Sequence, residues 1–104
     1  MYARNVSMNL KPNTAREFTQ TFEKDILPIL RKQNGFKDEI TFVGTDGKNC
    51  LAISLWDRKE NADVYSRETY PQVLKSLARV VEGTPQVRGY EVAVSTLHKT
   101  TATR

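Results

Sequence analysis

The sequence predicts an α+β domain in which a four-stranded antiparallel sheet carries helices on one face. Three observations lead there. Tyr2 to Leu10 and Phe36 to Val43 alternate along the chain with the period of a strand. Phe18, Phe22, Ile26, Ile29 and Leu30 recur at spacings of three and four, which makes one apolar helical face. Cys50 to Trp56 carries no charge on either of its alternating faces, so that strand has to be covered on both sides.

In the first strand Tyr2, Val6, Met8 and Leu10 share one face with Arg4 as the exception, while Ala3, Asn5, Ser7 and Asn9 share the other. Lys11-Pro12-Asn13 breaks it. Thr14-Ala15-Arg16-Glu17 has the form of a capping box, with Thr14 as N-cap and Glu17 reaching back. Pro28 falls inside the following helical pattern, where it kinks the helix or restarts it for a last turn. Asn34-Gly35 is the stop, with Gly35 in the left-handed position. The second strand sets Phe36, Ile40 and Phe42 on one side and Lys37, Glu39 and Thr41 on the other. Gly44 to Asn49 is a hairpin loop turning on Asp46-Gly47, and Cys50 to Trp56 is the third strand. A helical stretch then opens at Asp57 or Asn61 and includes Ala62, Val64, Tyr65 and Tyr70. Pro71 starts a further helix holding Val73, Leu74, Leu77, Val80 and Val81, ended by Glu82-Gly83-Thr84-Pro85. Val87 to Leu97 completes the set as the fourth strand. The order is β-α-β-β-α-β, the split pattern of a ferredoxin-like sheet.

The chain has 104 residues, enough for one domain with a core of its own. The expected domain covers residues 1–99, followed by a frayed tail at 100–104. Sixteen Lys and Arg face twelve Asp and Glu, a net charge of +4. These charges are dispersed rather than gathered into a patch, which argues against nucleic acid as a partner. No run of about 18 apolar residues is present, so no membrane-spanning helix is expected. With no apolar leader at the N-terminus and a lone Cys50, the expected location is cytoplasmic.

Helices cover only one face of such a sheet. The other face includes an apolar side of the third strand, and an uncovered patch of that kind marks an interface. The expected partner is a second copy of the chain, with two sheets packed face to face.

The sequence resembles the antibiotic-biosynthesis-monooxygenase-like domains of the dimeric α+β barrel superfamily. The residues that carry the resemblance are Tyr2 to Pro12, Leu27 to Phe36, Ala52 to Asp57, Tyr70 to Leu74 and Tyr90 to Thr96. The resemblance implies a dimeric α+β barrel and, for part of the group, cofactor-independent oxygenation of aromatic polyketides or quinols. Other members degrade haem. In that branch an asparagine lies on the first strand, a tryptophan on the second helix and an axial histidine about ten residues later. Asn5 matches the asparagine, but Tyr65 and Lys75 fall where the tryptophan and histidine would be. Lysine has no free lone pair at neutral pH, so haem degradation is not expected.

One histidine and one cysteine do not make a metal site. No glycine-rich phosphate loop and no nucleophile elbow occur. No metal or other cofactor is expected. Glu91, within an apolar strand, is expected to pair with Arg4 or Arg88. Either Asn9 is wet near the strand end or Asn5 and Ser7 point into a cavity; the candidate site is that cavity, an apolar pocket between sheet and helices lined by Phe18, Phe22, Trp56, Tyr65 and Leu77. In an oxygenase acting on a small aromatic molecule, Asn5 would donate to an oxyanion and Tyr65 would orient a substrate hydroxyl. His98, the only side chain titrating near neutrality, would be the candidate base. The alternative is a ligand-binding or stress-response module on the same fold without catalysis, for which the aromatic residues simply fill the core.

Overall fold

The computed structural model describes residues 1–98; the expected tail at 100–104 lies outside the described residues. Four strands, β1 (Tyr2–Leu10), β2 (Phe36–Val43), β3 (Asn49–Trp56) and β4 (Val81–Glu91), form one antiparallel sheet in the order β2-β3-β1-β4. Between β1 and β2 run α1 (Ala15–Thr21), a π-helical turn (Phe22–Ile26) and α2 (Leu27–Arg31). Between β3 and β4 run α3 (Lys59–Glu68) and α4 (Tyr70–Leu77). All helices lie on one face of the sheet. The core between them holds Val6, Met8 and Leu10 of β1, Cys50, Ala52 and Trp56 of β3, and the apolar faces of the helices.

Local chemistry accounts for most element boundaries. Pro28 stands in the first turn of α2, directly after a π-helical turn of the same continuous helix, so its missing N–H falls where the helical pitch changes. The preceding turn is wider than an α-helix: the Leu27 N–H reaches the Phe22 carbonyl. That widening brings both Phe22 and Ile26 inward. The capping box does not form. Thr14 Oγ1 donates instead to the carbonyls of Lys11 (2.7 Å) and Val80 (3.3 Å). Glu17 turns outward to Arg79 at 2.7 Å. The hairpin loop turns on Asp46-Gly47 as expected, with Asp46 Oδ1 accepting the Lys48 and Asn49 N–H groups.

Gly35 is left-handed, φ +78°, but it lies beyond the end of α2 rather than directly at its cap. It is held there by the Asp57 N–H on its carbonyl, 2.8 Å. A Cβ at this position would run into the Asp57 carboxylate and the Asn61 amide, which are bonded to each other. Gly35→Ala is therefore expected to cost about 2 kcal/mol or more, from the backbone and the collision together. Urea denaturation measures it; a loss under about half a kcal/mol would mean that the Asp57–Asn61 pair steps aside.

Two strands differ from the expectation. The last helix stops at Leu77, and Val81 already belongs to β4, which ends at Glu91 rather than running to Leu97. Val80 and Val81 are buried apolar residues that suit a helix face or a strand equally. Glu82-Gly83-Thr84-Pro85, expected as a terminator, is instead an irregularity inside the strand. Asn9 pairs with Glu82 and Ser7 with Gln86, so the β4 residues between bulge out around Gly83 at φ +73°. In β2, a shift between Phe36 and Asp38 separates side chains expected to share one face. Phe36 packs edge-on against Trp56 on the helical side, 5.7 Å between ring centroids. Ile40 and Phe42 register with Ile53 and Leu51 on the opposite, open face. Glu39 and Thr41 are thereby turned toward the helices.

The open face carries Leu51, Ile53 and Leu55, with Ile40 and Phe42 41% and 52% exposed beside them and Tyr90 49% exposed on β4. Beyond β4 the chain leaves the sheet; the Val92 N–H bonds the Met1 carbonyl at 2.9 Å, and His98 reaches Asp38 on β2, the opposite edge strand. Glu91 pairs with the Met1 amino group, 3.3 Å, and not with Arg4 or Arg88. No helix among the described residues is long and apolar enough to cross a membrane.

Candidate functional site

The buried polar side chains collect at one place between sheet and helices. Arg4, the residue that broke the alternation of β1, points into the helical side and is only 4% exposed. Its Nε donates to Ser66 Oγ on α3 at 2.7 Å. The guanidinium carbon lies 4.0 Å from the centroid of the Tyr70 ring and 5.1 Å from that of Tyr65, two cation–π contacts. Arg4 makes no ion pair among the described residues. A buried cation without a counter-charge is costly, so the aromatic faces and the Ser66 hydroxyl carry its stabilisation.

Around Arg4 runs an aromatic file. Trp56, wholly buried, lies 5.2 Å from Tyr65 between ring centroids, and Tyr65 lies 6.2 Å from Tyr70. The Trp56 indole N–H donates to Ser54 Oγ at 2.9 Å. The Tyr70 hydroxyl oxygen is buried and makes no hydrogen bond of normal geometry among the described residues, with the Arg4 side chain as the donor beside it. Burial pushes the Tyr65 hydroxyl up to about 12 against the opposing charge of Arg4, and raises Tyr70 in the same way. Both phenols therefore stay protonated at neutral pH.

The cavity bounded by Arg4, Glu39, Ser54, Tyr65 and Tyr70 is about 30 Å³, with Phe22, Val73 and Leu77 among its apolar walls. That volume is the room of one water molecule or one hydroxyl group. It does not hold the aromatic ring system expected of a pocket at this place. Phe22 and Glu39 also border a groove of about 190 Å³ on the outside, with Phe18, Leu27 and Thr41. These two side chains are thus the partition between chamber and groove.

Glu39 is the residue that sequence reasoning missed. It faces the chamber because the β2 register places it opposite Ser54. Thr41 Oγ1 donates to its Oε2 at 2.7 Å. Burial pushes its carboxyl up to about 8, with the Thr41 bond and the Arg4 charge pulling the other way. Burial likewise raises the Cys50 thiol to about 11, helped by Glu39, so it is not a nucleophile. The deciding signal is the phase of β2: alternation sets Glu39 on the side opposite Ile40 and Phe42 without saying which side faces the helices.

The expected site residues are not brought together. Tyr65 and Leu77 border the chamber, Phe22 borders chamber and groove, Phe18 borders the groove, and Trp56 packs behind Tyr65. Asn5 does not reach the chamber. It registers with Ile53 and Arg88 on the open face, because its strand phase is opposite to that of Arg4. Its Oδ1 is nevertheless buried and unpaired. His98 is not in the chamber lining either; it lies against Asp38, the residue before Glu39 on β2. Lys75 is exposed on α4 and lies outside the chamber wall. The largest concavity, about 520 Å³, lies over Ser7, Asn9, Phe42 and Leu51 and has no charged side chain in its lining. No cluster of three or more potential metal ligands occurs among the described residues.

A monooxygenase of Streptomyces coelicolor in complex with Nanaomycin D has the same architecture, with a TM-score of 0.77 over 94% of this chain and 92% of its own at 14% identity. The fold is that of the antibiotic-biosynthesis-monooxygenase-like domains. A Bordetella bronchiseptica protein described as a candidate antibiotic biosynthesis monooxygenase matches this chain at TM-score 0.75 and 12% identity, over 89% of this chain and 97% of its own. A Nitrosomonas europaea protein of unknown function matches it at TM-score 0.76 and 12% identity, covering 94% of each chain. No family profile and no curated protein matches the sequence. At these identities the likeness establishes the monooxygenase-like fold alone.

Proposed function

We propose that the protein is a cofactor-independent monooxygenase acting on a small phenolic, anthrone-type or quinol-type substrate at the chamber between sheet and helices. The observation that carries this reading is Arg4: a buried guanidinium with no ion pair, fixed by two ring faces and a hydroxyl, at the wall of a cavity. A charge placed in that way stabilises an oxyanion that develops beside it. Once the substrate has lost a proton, its electron-rich anion reduces dioxygen. In an anthrone the activated methylene becomes a carbonyl, and in a naphthohydroquinone one ring C–H becomes C–OH as the ring is oxidised to the quinone. In each case the second oxygen atom leaves as water, so no external reductant is consumed. Tyr65 and Tyr70 supply ring faces and hydroxyl donors, while Phe22 and Leu77 exclude water. Since the chamber admits only a hydroxyl-sized group, Phe22 has to swing toward the groove when a ring enters. The Nanaomycin D complex of the Streptomyces coelicolor monooxygenase supports a small-molecule site on this fold.

Oxygen uptake with a panel of anthrones and naphthohydroquinones in metal-free buffer tests the reading. Uptake above the buffer rate with at least one of them is expected, and no uptake with any overturns it. The small volume of the chamber favours a second reading, a binding module without turnover. Thermal shifts with apolar aromatic ligands and no product by mass spectrometry would select it.

The same proposal takes the protein as a homodimer through the open sheet face. Ile40, Phe42 and Tyr90 are exposed there, an apolar surface that a second copy would cover. Light scattering is expected to give twice the 11.9 kDa chain mass. Phe42→Glu is expected to return it to the single chain, and a wild-type protein of single-chain mass at micromolar concentration refutes the dimer.

A further inference from the structure

We propose that Glu39 is the proton acceptor of the chamber, taking the hydroxyl proton of a phenolic or hydroquinone-type guest whose oxygen is then held as the anion by Arg4. This rests on the oxygenase reading and names the group it lacked. Glu39 is the one carboxylate in the chamber lining, as Arg4 is the one cation. Yet the two make no ion pair. An acid and a base kept only for stability would close on each other. Here they share the walls of a cavity of about 30 Å³, the room of one hydroxyl.

The carboxyl is also correctly presented. Thr41 Oγ1 fixes Oε2 at 2.7 Å, and Oε1 takes no hydrogen bond from the described residues. Because Glu39 borders both the chamber and the outer groove, a proton gained inside leaves to water outside. The step balances simply. The guest O–H bond breaks, an O–H bond forms on Oε1, and the negative charge passes from Glu39 to the guest oxygen facing Arg4. No electron moves until dioxygen arrives.

The other candidate groups do not serve. Tyr65 and Tyr70 are held protonated by burial, and His98 is on Asp38. The titratable groups packed around Glu39 are Arg4 from β1, Cys50 from β3, Tyr65 from α3, Tyr70 from α4, Glu23 from the π turn and Arg31 from α2, besides its strand neighbours Lys37 and Asp38. Among these groups only Arg4 pulls the carboxyl toward ionisation, after the larger pull of the Thr41 hydrogen bond, and burial outweighs both.

The test uses the full chain, with Glu39→Gln and Glu39→Asp as variants and naphthohydroquinone as substrate. In the wild type kcat/KM is expected to rise with pH through about 8. In Glu39→Gln it is expected to fall by about a hundredfold or more and lose that rise, while Glu39→Asp retains it. A wild type that turns over together with a Glu39→Gln variant within a few-fold and of unchanged pH profile overturns the proposal but leaves the oxygenase reading intact. If the wild type fails to turn over, the oxygenase reading falls and carboxyl carbon NMR decides the rest. The resonance absent from Glu39→Gln is expected to titrate well above pH 6 and to move when 2-naphthol is added. A midpoint in the ordinary carboxylate range, or no response to 2-naphthol, overturns the proposal.

Discussion

Arg4→Met is expected to raise the melting temperature of the protein while abolishing oxygen uptake. The guanidinium is buried without an ion pair, so folding strips its hydration and returns only one hydrogen bond and two ring contacts. Methionine keeps the length and most of the contact with Tyr65 and Tyr70 without the charge. Replacing buried charged groups by apolar residues of similar volume is often stabilising by about 1–4 kcal/mol. In a domain of this size each kcal/mol shifts the melting temperature by roughly 4–8 °C. The freed Ser66 hydroxyl is half-buried and regains water. Arg4→Ala, which also empties volume, is expected to destabilise. Differential scanning calorimetry of the three proteins separates these terms. A lower melting temperature for Arg4→Met than for the wild type would mean that Arg4 holds the fold together, and its proposed role as an oxyanion clamp would lose its basis.

Stability is expected to fall as pH rises from about 4.5 to about 8. The Glu39 carboxyl is raised from 4.5 to about 8 by burial. Below 4.5 both the folded and the unfolded chain hold its proton, and the group contributes nothing to the pH slope. Between the two values the unfolded chain releases the proton and the folded chain keeps it, so each pH unit favours unfolding by up to about 1.4 kcal/mol. Above about 8 both states are ionised and the loss is complete, amounting to a few kcal/mol on the order of magnitude. Glu39→Gln removes the slope and is expected to be the more stable protein at pH 8. Urea titrations at pH 5, 6.5 and 8 check this; parallel curves for wild type and variant across that window would mean that the folded carboxyl ionises normally.

Much of the fold is legible in the residues. Alternation marks β1 and β3, Asp46-Gly47 marks the hairpin, and Pro28 and Pro71 mark where helices restart. The misplacement of β4 comes from Val80-Val81, which suits either period, and from Gly83 and Pro85, which end a helix as readily as they bulge a strand. The site was less legible for one reason. Sequence patterns show which residues share a face of a strand, but not which face turns inward when both have apolar members. In β2 the apolar pair Ile40 and Phe42 lies on the open face, so the carboxylate just before them, Glu39, faces the chamber. In β1 the break in alternation at Arg4 was visible, and a charge in the buried phase of a strand was itself the pointer. Asn5, in the opposite phase, could not have joined Tyr65 without a register slip that would expose Val6 and Met8.

The irregular middle of β4 has an outcome for how copies of this chain meet. β4 is an edge of the sheet, and a regular edge invites another strand to add on and extend the layer without limit. Pro85 lacks the N–H such an addition needs, and the bulge at Gly83 twists the neighbouring amides out of line. The opposite edge presents Lys37, Asp38 and Glu39 in succession. Lateral growth into fibrils is thus discouraged at both margins, which leaves the broad flat side for the face-to-face pairing proposed above.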